Sequence, residues 1–324
     1  MKKNLFTLAV LFMMLAAPMV AQPQAWQAPK SLTMRKAAAA SSEAPYRLDS
    51  VCTVQPDGSP VKKQVVEYGA NGRAALLYEL GYSWPAGSAA PVAVPTGKHE
   101  YSYTDGGVMQ KEEVYQYVGG EYRLSERTEV VEFYKGTDLP GVTIDSRPSD
   151  GVLQPFLKQV TTAVKRDRID SYEAYLWQGG EWVLYADGHM DYNGDGTTRQ
   201  ETINMLMDGF TMTEAIAYEY DSHQTVQQVT ITVSVQGQVL QQGGIAYENR
   251  YDERDLLVEQ KIIPDGEAPT IDYYYWQGGT TTLVTALPRA FASDGGFVDL
   301  NGRRHSAAPS RRGLYIVGGR KVAY

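Results

Sequence analysis

A single cysteine, Cys52, stands in a chain of 324 residues. One thiol can neither close an internal disulfide nor build a four-thiolate metal centre. Free cysteine behaves as a small apolar group, and alternation in YRLDSVCTV sets Cys52 on one strand face with Leu48 and Val54, so it reads as a core residue. Histidine is nearly as scarce. The four, His99, His189, His223 and His305, never pair at i+2 or i+4 and never flank the cysteine, which leaves a metal site without a sequence handle. No G-x-S-x-G elbow, P-loop or dinucleotide glycine fingerprint occurs. Ser83 in GYSWPAG is followed by Trp84 and Pro85, which deny it the strand-turn-helix geometry of a nucleophile. Acidic residues are plentiful, but no two stand out at the separation a glycosidase needs, so a secreted hydrolase ranks last among the readings. Basic residues are in deficit: the formal charge is −8, and −10 once Lys2 and Lys3 leave with a leader. That balance excludes nucleic acid and anionic membrane as partners, since both select basic patches.

Long apolar runs are also missing after residue 21, so no later segment approaches the roughly 20 residues of a membrane helix. Residues 1–21 themselves read as a signal peptide. Lys2 and Lys3 form the positive n-region, residues 5–17 the apolar stretch, and Met19, Val20 and Ala21 a cleavage site. Residues 22–45 carry prolines, an alanine run and Ser41-Ser42 without sustained periodicity, and read as a disordered spacer.

What the chain has in abundance is tyrosine, 23 residues against 7 Phe and 5 Trp. Tyrosine suits a half-wet sheet face, where its ring packs and its hydroxyl stays hydrated. The organising stretch is YLWQGGEWVL (residues 175–184), an aromatic strand, a Gly-Gly turn and a second aromatic strand. Two echoes share its spacing, YQYVGGEYRL (115–124) and YYWQGGTTTL (274–283). Period-2 aromatics around Gly-Gly signal a hairpin, because glycine supplies the positive φ of a tight turn. A second signature follows: Tyr192-Asn193, Tyr220-Asp221 and Tyr251-Asp252 each end a strand and open a turn, Asx side chains being suited to bonding the backbone that follows. Residues 153–164 fit helix and strand spacing alike, and the β surroundings favour strand. Residues 135–151, with Pro140 and Pro148, form the longest irregular stretch and a candidate subdomain break. The expected fold is all-β: an elongated antiparallel meander of degenerate β-hairpin repeats over residues 46–288, with a small C-terminal β tail over 289–324. Repeats that cannot bury a face alone stack on their neighbours.

The cadence carried by Tyr101/Tyr103, Tyr175/Trp177/Trp182, Tyr218/Tyr220/Asp221 and Tyr274/Trp276 resembles the exported Tyr/Trp-rich β-repeat proteins of the Bacteroidota. The closing VDLNGRR and RGLYIVGGRKV are similar to the type IX secretion sorting domain, in a shorter form. This resemblance implies passage of the outer membrane, secretion machinery as a partner through the tail, and release or retention at the outer-membrane surface. It implies no enzyme.

Two sets of candidate site residues remain. DYNGDG begins like a calcium loop, with Asp191, Asn193 and Asp195 at positions 1, 3 and 5 and Gly196 at 6. Thr202 stands where the bidentate Glu should be, so an Asx-rich β-turn is the stronger reading and calcium the one candidate cofactor. Trp84, Trp177, Trp182 and Trp276 are candidate ligand platforms, exposed aromatics being a mark of glycan- and protein-binding surfaces. Cross-strand aromatic pairs also stabilise sheets without any ligand. Alternation is expected to put Trp177 and Trp182 on opposite sides of their hairpin. The functional expectation is therefore a non-catalytic secreted or cell-surface protein with a structural or adhesive role; the alternative is a glycan- or protein-binding module using exposed Trp and Tyr.

Overall fold

The computed structural model describes residues 46–86, 90–207 and 209–278, together with the backbone of short strands between 297 and 323. Sixteen strands follow one another: β1 (Arg47–Val54), β2 (Pro60–Tyr68), β3 (Ala74–Ser83), β4 (Val92–Tyr103), β5 (Met109–Val118), β6 (Glu121–Phe133), β7 (Pro140–Ser149) and β8 (Val152–Lys165), then β9 (Arg168–Gln178), β10 (Glu181–Tyr192), β11 (Thr198–Met207), β12 (Phe210–Tyr220), β13 (Val226–Val235), β14 (Gln238–Tyr251), β15 (Leu257–Pro264) and β16 (Thr270–Gln277). Each pairs antiparallel with the next, and β1 pairs with β16, so the sheet is a closed barrel. Four further strands, β17 (Phe297–Asp299), β18 (Arg304–His305), β19 (Leu314–Val317) and β20 (Arg320–Ala323), form a separate small sheet in the order β18-β17-β19-β20.

The all-β expectation and the antiparallel order hold; the elongated open meander does not. The register Val51↔Tyr274, Cys52↔Tyr273 and Thr53↔Asp272 closes the wall, and Thr53 Oγ1 donates a 2.5 Å bond to the buried Asp272 carboxylate across that seam. Closure removes both raw edges at once, which an open stack of hairpins leaves to be capped. The stretch 135–151 is not irregular throughout, since β7 occupies most of it. Residues 153–164 are strand, inside β8.

The two ends of the barrel are built differently. At one end the turns after β2, β4, β10, β12 and β14 repeat a single design, in which the residue after the strand tyrosine receives a bond from three positions on. Asn193 N donates to Thr197 O and Gly196 N to Asn193 O, and Asp221 and Asp252 repeat the pattern. The strand tyrosines then lock onto neighbouring hairpins: the hydroxyls of Tyr68, Tyr103 and Tyr192 donate to the carbonyls of Leu48, Ala74 and Ile169 at 2.7–2.8 Å. At the other end the hairpins β5–β6, β7–β8, β9–β10 and β13–β14 close with two-residue turns. Gly119-Gly120 (φ 63° and 93°) and Gly179-Gly180 (60° and 92°) are left-handed at both positions, the geometry that matches strand twist. Of the third echo, residues 279–283 lie outside the described residues, and residues 274–277 belong to β16, with Trp276 at the tyrosine-turn end. Its indole Nε1 donates 2.8 Å to Leu257 O, the same role the turn tyrosines play.

Register tracing assigns every strand an inner and an outer face. Inward side chains include Leu77, Tyr101, Ile169, Met205 and Tyr274, all 7% exposed or less. Outward positions at mid-strand carry Lys63, Lys98, Lys111, Glu113, Arg127, Lys158, Glu173, Asp187, Glu248 and Lys261. Arg127 pairs with Glu113 at 2.5 Å and Lys261 with Glu248 at 3.1 Å along this outer wall. Cys52 is buried as expected, and burial pushes its thiol pKa up. A bulge at Asp49 separates it from the face of Leu48, however, so it packs outward with Val54.

Candidate functional site

The Gly-Gly turns fix the register that builds the most distinctive surface. In β9–β10, Trp177 faces Trp182 directly across the ladder, and their rings meet edge to face at 5.0 Å and 65°. In β5–β6, Tyr117 faces Tyr122 with centroids again 5.0 Å apart, at 63°. A bulge follows each pair at the same place, between Leu184 and Ala186 in one hairpin and opposite Val114 and Tyr115 in the other. The preceding strand adds a lysine to each. Lys98 Nζ lies 4.5 Å from the Tyr115 ring and 5.0 Å from Tyr122. Lys158 Nζ lies 4.3 Å from Tyr175 and 5.1 Å from Trp182. All of these side chains point outward, and each member of the second cluster stands 60 positions after its counterpart. An ammonium over ring faces is a cation–π arrangement, worth about 0.5–1 kcal/mol at exposed sites.

Carboxylates tune both clusters. Lys98 bonds Glu100 at 2.5 Å, and Tyr175 donates its hydroxyl to Glu173, which raises the pKa of that phenol. Around the second hairpin Trp177, Val183 and Leu184 are 37%, 45% and 41% exposed, so apolar surface at the tip meets water.

Of the four candidate tryptophans, the structure brings two together. Trp177 and Trp182 share the outer face, against the expectation of opposite sides, because the two-residue turn sets them directly opposite one another. Trp84 is 61% exposed just past the end of β3, and Trp276 is held at the far end by Leu257. The calcium-like residues lie at the β10–β11 turn. Asp195 accepts from the Thr197 amide and hydroxyl, and Asn193 donates to the same hydroxyl. Asp191 pairs with Arg199 at 3.3 Å and His189 at 3.6 Å. Residue-type reasoning missed Lys98, Lys158, Tyr115 and Tyr122 as site members. The signal was present: extending the alignment of the two Gly-Gly echoes backwards matches Lys98 with Lys158 and Glu113 with Glu173.

A second cluster lies inside the wall. His99 Nδ1 is 2.9 Å from Glu112 Oε1, its Nε2 is 3.7 Å from Glu79, and Tyr101 donates to Glu112 at 3.2 Å. Burial favours the neutral imidazole, but the bond to Glu112 and the charge of Glu79 outweigh it and push the His99 pKa up to about 9. The imidazolium beside it, with the Gln64 amide, holds Glu79 down at about 2 against burial. Both ring nitrogens of His99 are thus engaged by carboxylates, one from β3 and one from β5. Across the lumen Glu214 is 4% exposed, its Oε1 lacks a hydrogen-bond partner, and burial raises its pKa.

The fold and these sites define a closed all-β barrel with a charged outer wall and paired aromatic–lysine clusters. No family model matches the chain and no curated protein matches it. Among solved structures, it is similar to a porin-like protein from Bacteroides uniformis ATCC 8492 (10% identity, 71% of this chain and 96% of that one, TM-score 0.44). A porin-like protein from Bacteroides vulgatus ATCC 8482 gives 8% identity, coverage of 72% and 99%, and a TM-score of 0.36. A Bacteroides fragilis NCTC 9343 protein of unknown function gives 14% identity, coverage of 39% and 89%, and 0.33. Likenesses at these scores carry no argument about what the chain does.

Proposed function

We propose that this chain is an exported, non-catalytic binding barrel, at the cell surface or released, that engages glycan through its two outward aromatic–lysine clusters. The observation that carries the reading is the duplication: an edge-to-face aromatic pair with the same ring spacing and a lysine at the same place recur on a second hairpin. Sheet stability alone asks for aromatic pairs anywhere on the wall. Two copies presented on outward-facing hairpins suit a repeating ligand, whose sugar rings stack on exposed aromatic faces while the ammonium groups meet hydroxyl or acidic substituents. Binding to two linked sites multiplies affinity without new contacts.

On a glycan array, Trp177→Ala/Trp182→Ala and Tyr117→Ala/Tyr122→Ala are each expected to weaken binding. The four-fold variant is expected to lose on the order of 10²-fold. Loss of an edge-to-face pair costs only about 0.5–1.5 kcal/mol of stability, so the variants stay folded. Unchanged binding by the four-fold variant would leave the clusters a structural role only.

The non-catalytic part of the reading is supported by the way the wall's buried acids and histidine are used. His99 is held between Glu79 and Glu112, and Glu201 receives the Tyr172 hydroxyl at 2.7 Å. The location part is supported by the outer wall. A membrane-spanning barrel needs an outward apolar band about 25 Å tall, and each Lys or Arg at the bilayer midplane costs about 2–4 kcal/mol. Lys63, Lys98, Lys111, Arg127, Lys158 and Lys261 stand at mid-strand on β2, β4, β5, β6, β8 and β15, so this part of the wall faces water. In a Triton X-114 partition the secreted chain is expected in the aqueous phase; recovery in the detergent phase would reverse that assignment. The tail over residues 289–324 is proposed as the sorting element, and its deletion is expected to abolish export or surface retention.

A further inference from the structure

We propose that the β13–β14 hairpin is a self-association edge: a second copy of this chain pairs its own β14 with residues 238–243, antiparallel, about a two-fold axis. β14 pairs with β13 from Gln238 to Ala246, but with β15 only from Ile245 to Tyr251. Asp265 N donates to Gly244 O at 3.0 Å and marks where the neighbouring strand turns away. Residues 238–243 therefore extend past the barrel rim with one row of backbone donors and acceptors facing solvent, a template for strand addition.

The chemistry of this edge names its occupant. No Asp, Glu, Lys, Arg or His occurs between His223 and Glu248, in a chain that is 21% charged. Natural edges are guarded by charge or proline. The other free edges at this end follow that rule: residues 121–126 carry Glu121, Arg123 and Glu126, residues 152–156 carry Pro155, and residues 181–185 carry Glu181. Of these four longer edges, the one at 238–243 alone has neither. Two copies meet there without like-charge repulsion, and in the antiparallel register centred on Leu240 the Gln238 amide of one copy faces the Gln242 amide of the other. Val239 and Leu240, 57% and 62% exposed, supply the apolar contact. On the outer face beside the edge, a slot of about 310 Å³ lined by Gln228, Thr230, Gln242 and Asp265 leaves room for a side chain of the incoming strand. An edge of one symmetric strand pair gives a reversible dimer, not a fibre, because a two-fold contact closes on itself.

The test is sedimentation velocity of the full secreted chain from about 1 to 100 µM, a window that brackets a micromolar contact. The wild type is expected to move from monomer to dimer. Val239→Lys/Gln241→Lys is expected to remain monomeric, while Val239→Thr still dimerises. Hydrogen exchange on the wild type gives a readout that needs no variant: protection at residues 238–243 is expected to fall on dilution while β9–β10 stays constant. Deleting residues 289–324 is expected to leave the dimer intact. A wild type that stays monomeric at every concentration would overturn the proposal. So would a double-lysine variant that dimerises like wild type, concentration-independent protection of 238–243, or dissociation on tail deletion, which would give the edge to this chain's own C-terminus.

Discussion

Replacing Glu112 by alanine is expected to cost about 3–5 kcal/mol, the range measured when one partner of a buried ion pair is removed. Glu112 is 1% exposed and faces His99, itself 8% exposed, at 2.9 Å. Its loss leaves an imidazole between an empty space and Glu79, and strips the Tyr101 hydroxyl of its acceptor. For a barrel of this size that corresponds to a fall in Tm of roughly 10 °C.

The same cluster predicts a pH profile. The folded pKa of His99, about 9, lies above its ordinary value of 6.5, so its contribution is complete below pH 6.5 and drains away as pH rises through 9. Glu79 runs the other way. Its folded pKa, about 2, lies below the ordinary 4.5, so its contribution is complete above 4.5 and is lost as pH falls through 2. Tm should therefore be flat between pH 4.5 and 6.5, with a decline on the alkaline side. Differential scanning calorimetry of Glu112→Ala should show that alkaline decline flattened. A variant that keeps the wild-type slope would show that the histidine charge is held by other means.

Gly188 is the second position where a small change should act strongly. It pairs with Tyr172 on the inner face, and a Cβ built there would lie 2.1 Å from the Tyr172 ring carbon Cζ. The ring covers the glycine, and its hydroxyl donates to Glu201, which is 4% exposed. Gly188→Val must displace the ring. Overpacking costs about 1–3 kcal/mol, and loss of the Tyr172 hydrogen bond to a charged group adds about 1.5–3 more. In a Tyr172→Ala background the same substitution should cost far less, since the obstacle is gone. Equal costs in both backgrounds, measured by urea unfolding, would show that the ring is not what the glycine accommodates.

Much of the wall was legible because its signals are local. The positive φ of Gly119-Gly120 and Gly179-Gly180 and the Asx turns at Asn193, Asp221 and Asp252 follow from residue chemistry within five positions. The closure was not legible, because Thr53 and Asp272 meet across 219 residues and nothing in either strand names the other. Trp276 misled for a related reason. Its local string copies that of Trp177, but β16 runs to the opposite end of the barrel, where the indole replaces a turn tyrosine. His99 gave no motif at all, since its partners come from β3 and β5 and only the register brings them together. The pairing of Trp177 with Trp182 was misjudged because alternation within a strand says nothing about which residue faces which across a two-residue turn.

The seam between β1 and β16 also governs when the molecule can exist. Until β16 is available to pair with β1, the sheet stays an unclosed ribbon with two raw margins. Because that seam sets the first and last strands side by side, joining them with a short linker and opening a tyrosine turn instead should give circular permutants that still fold.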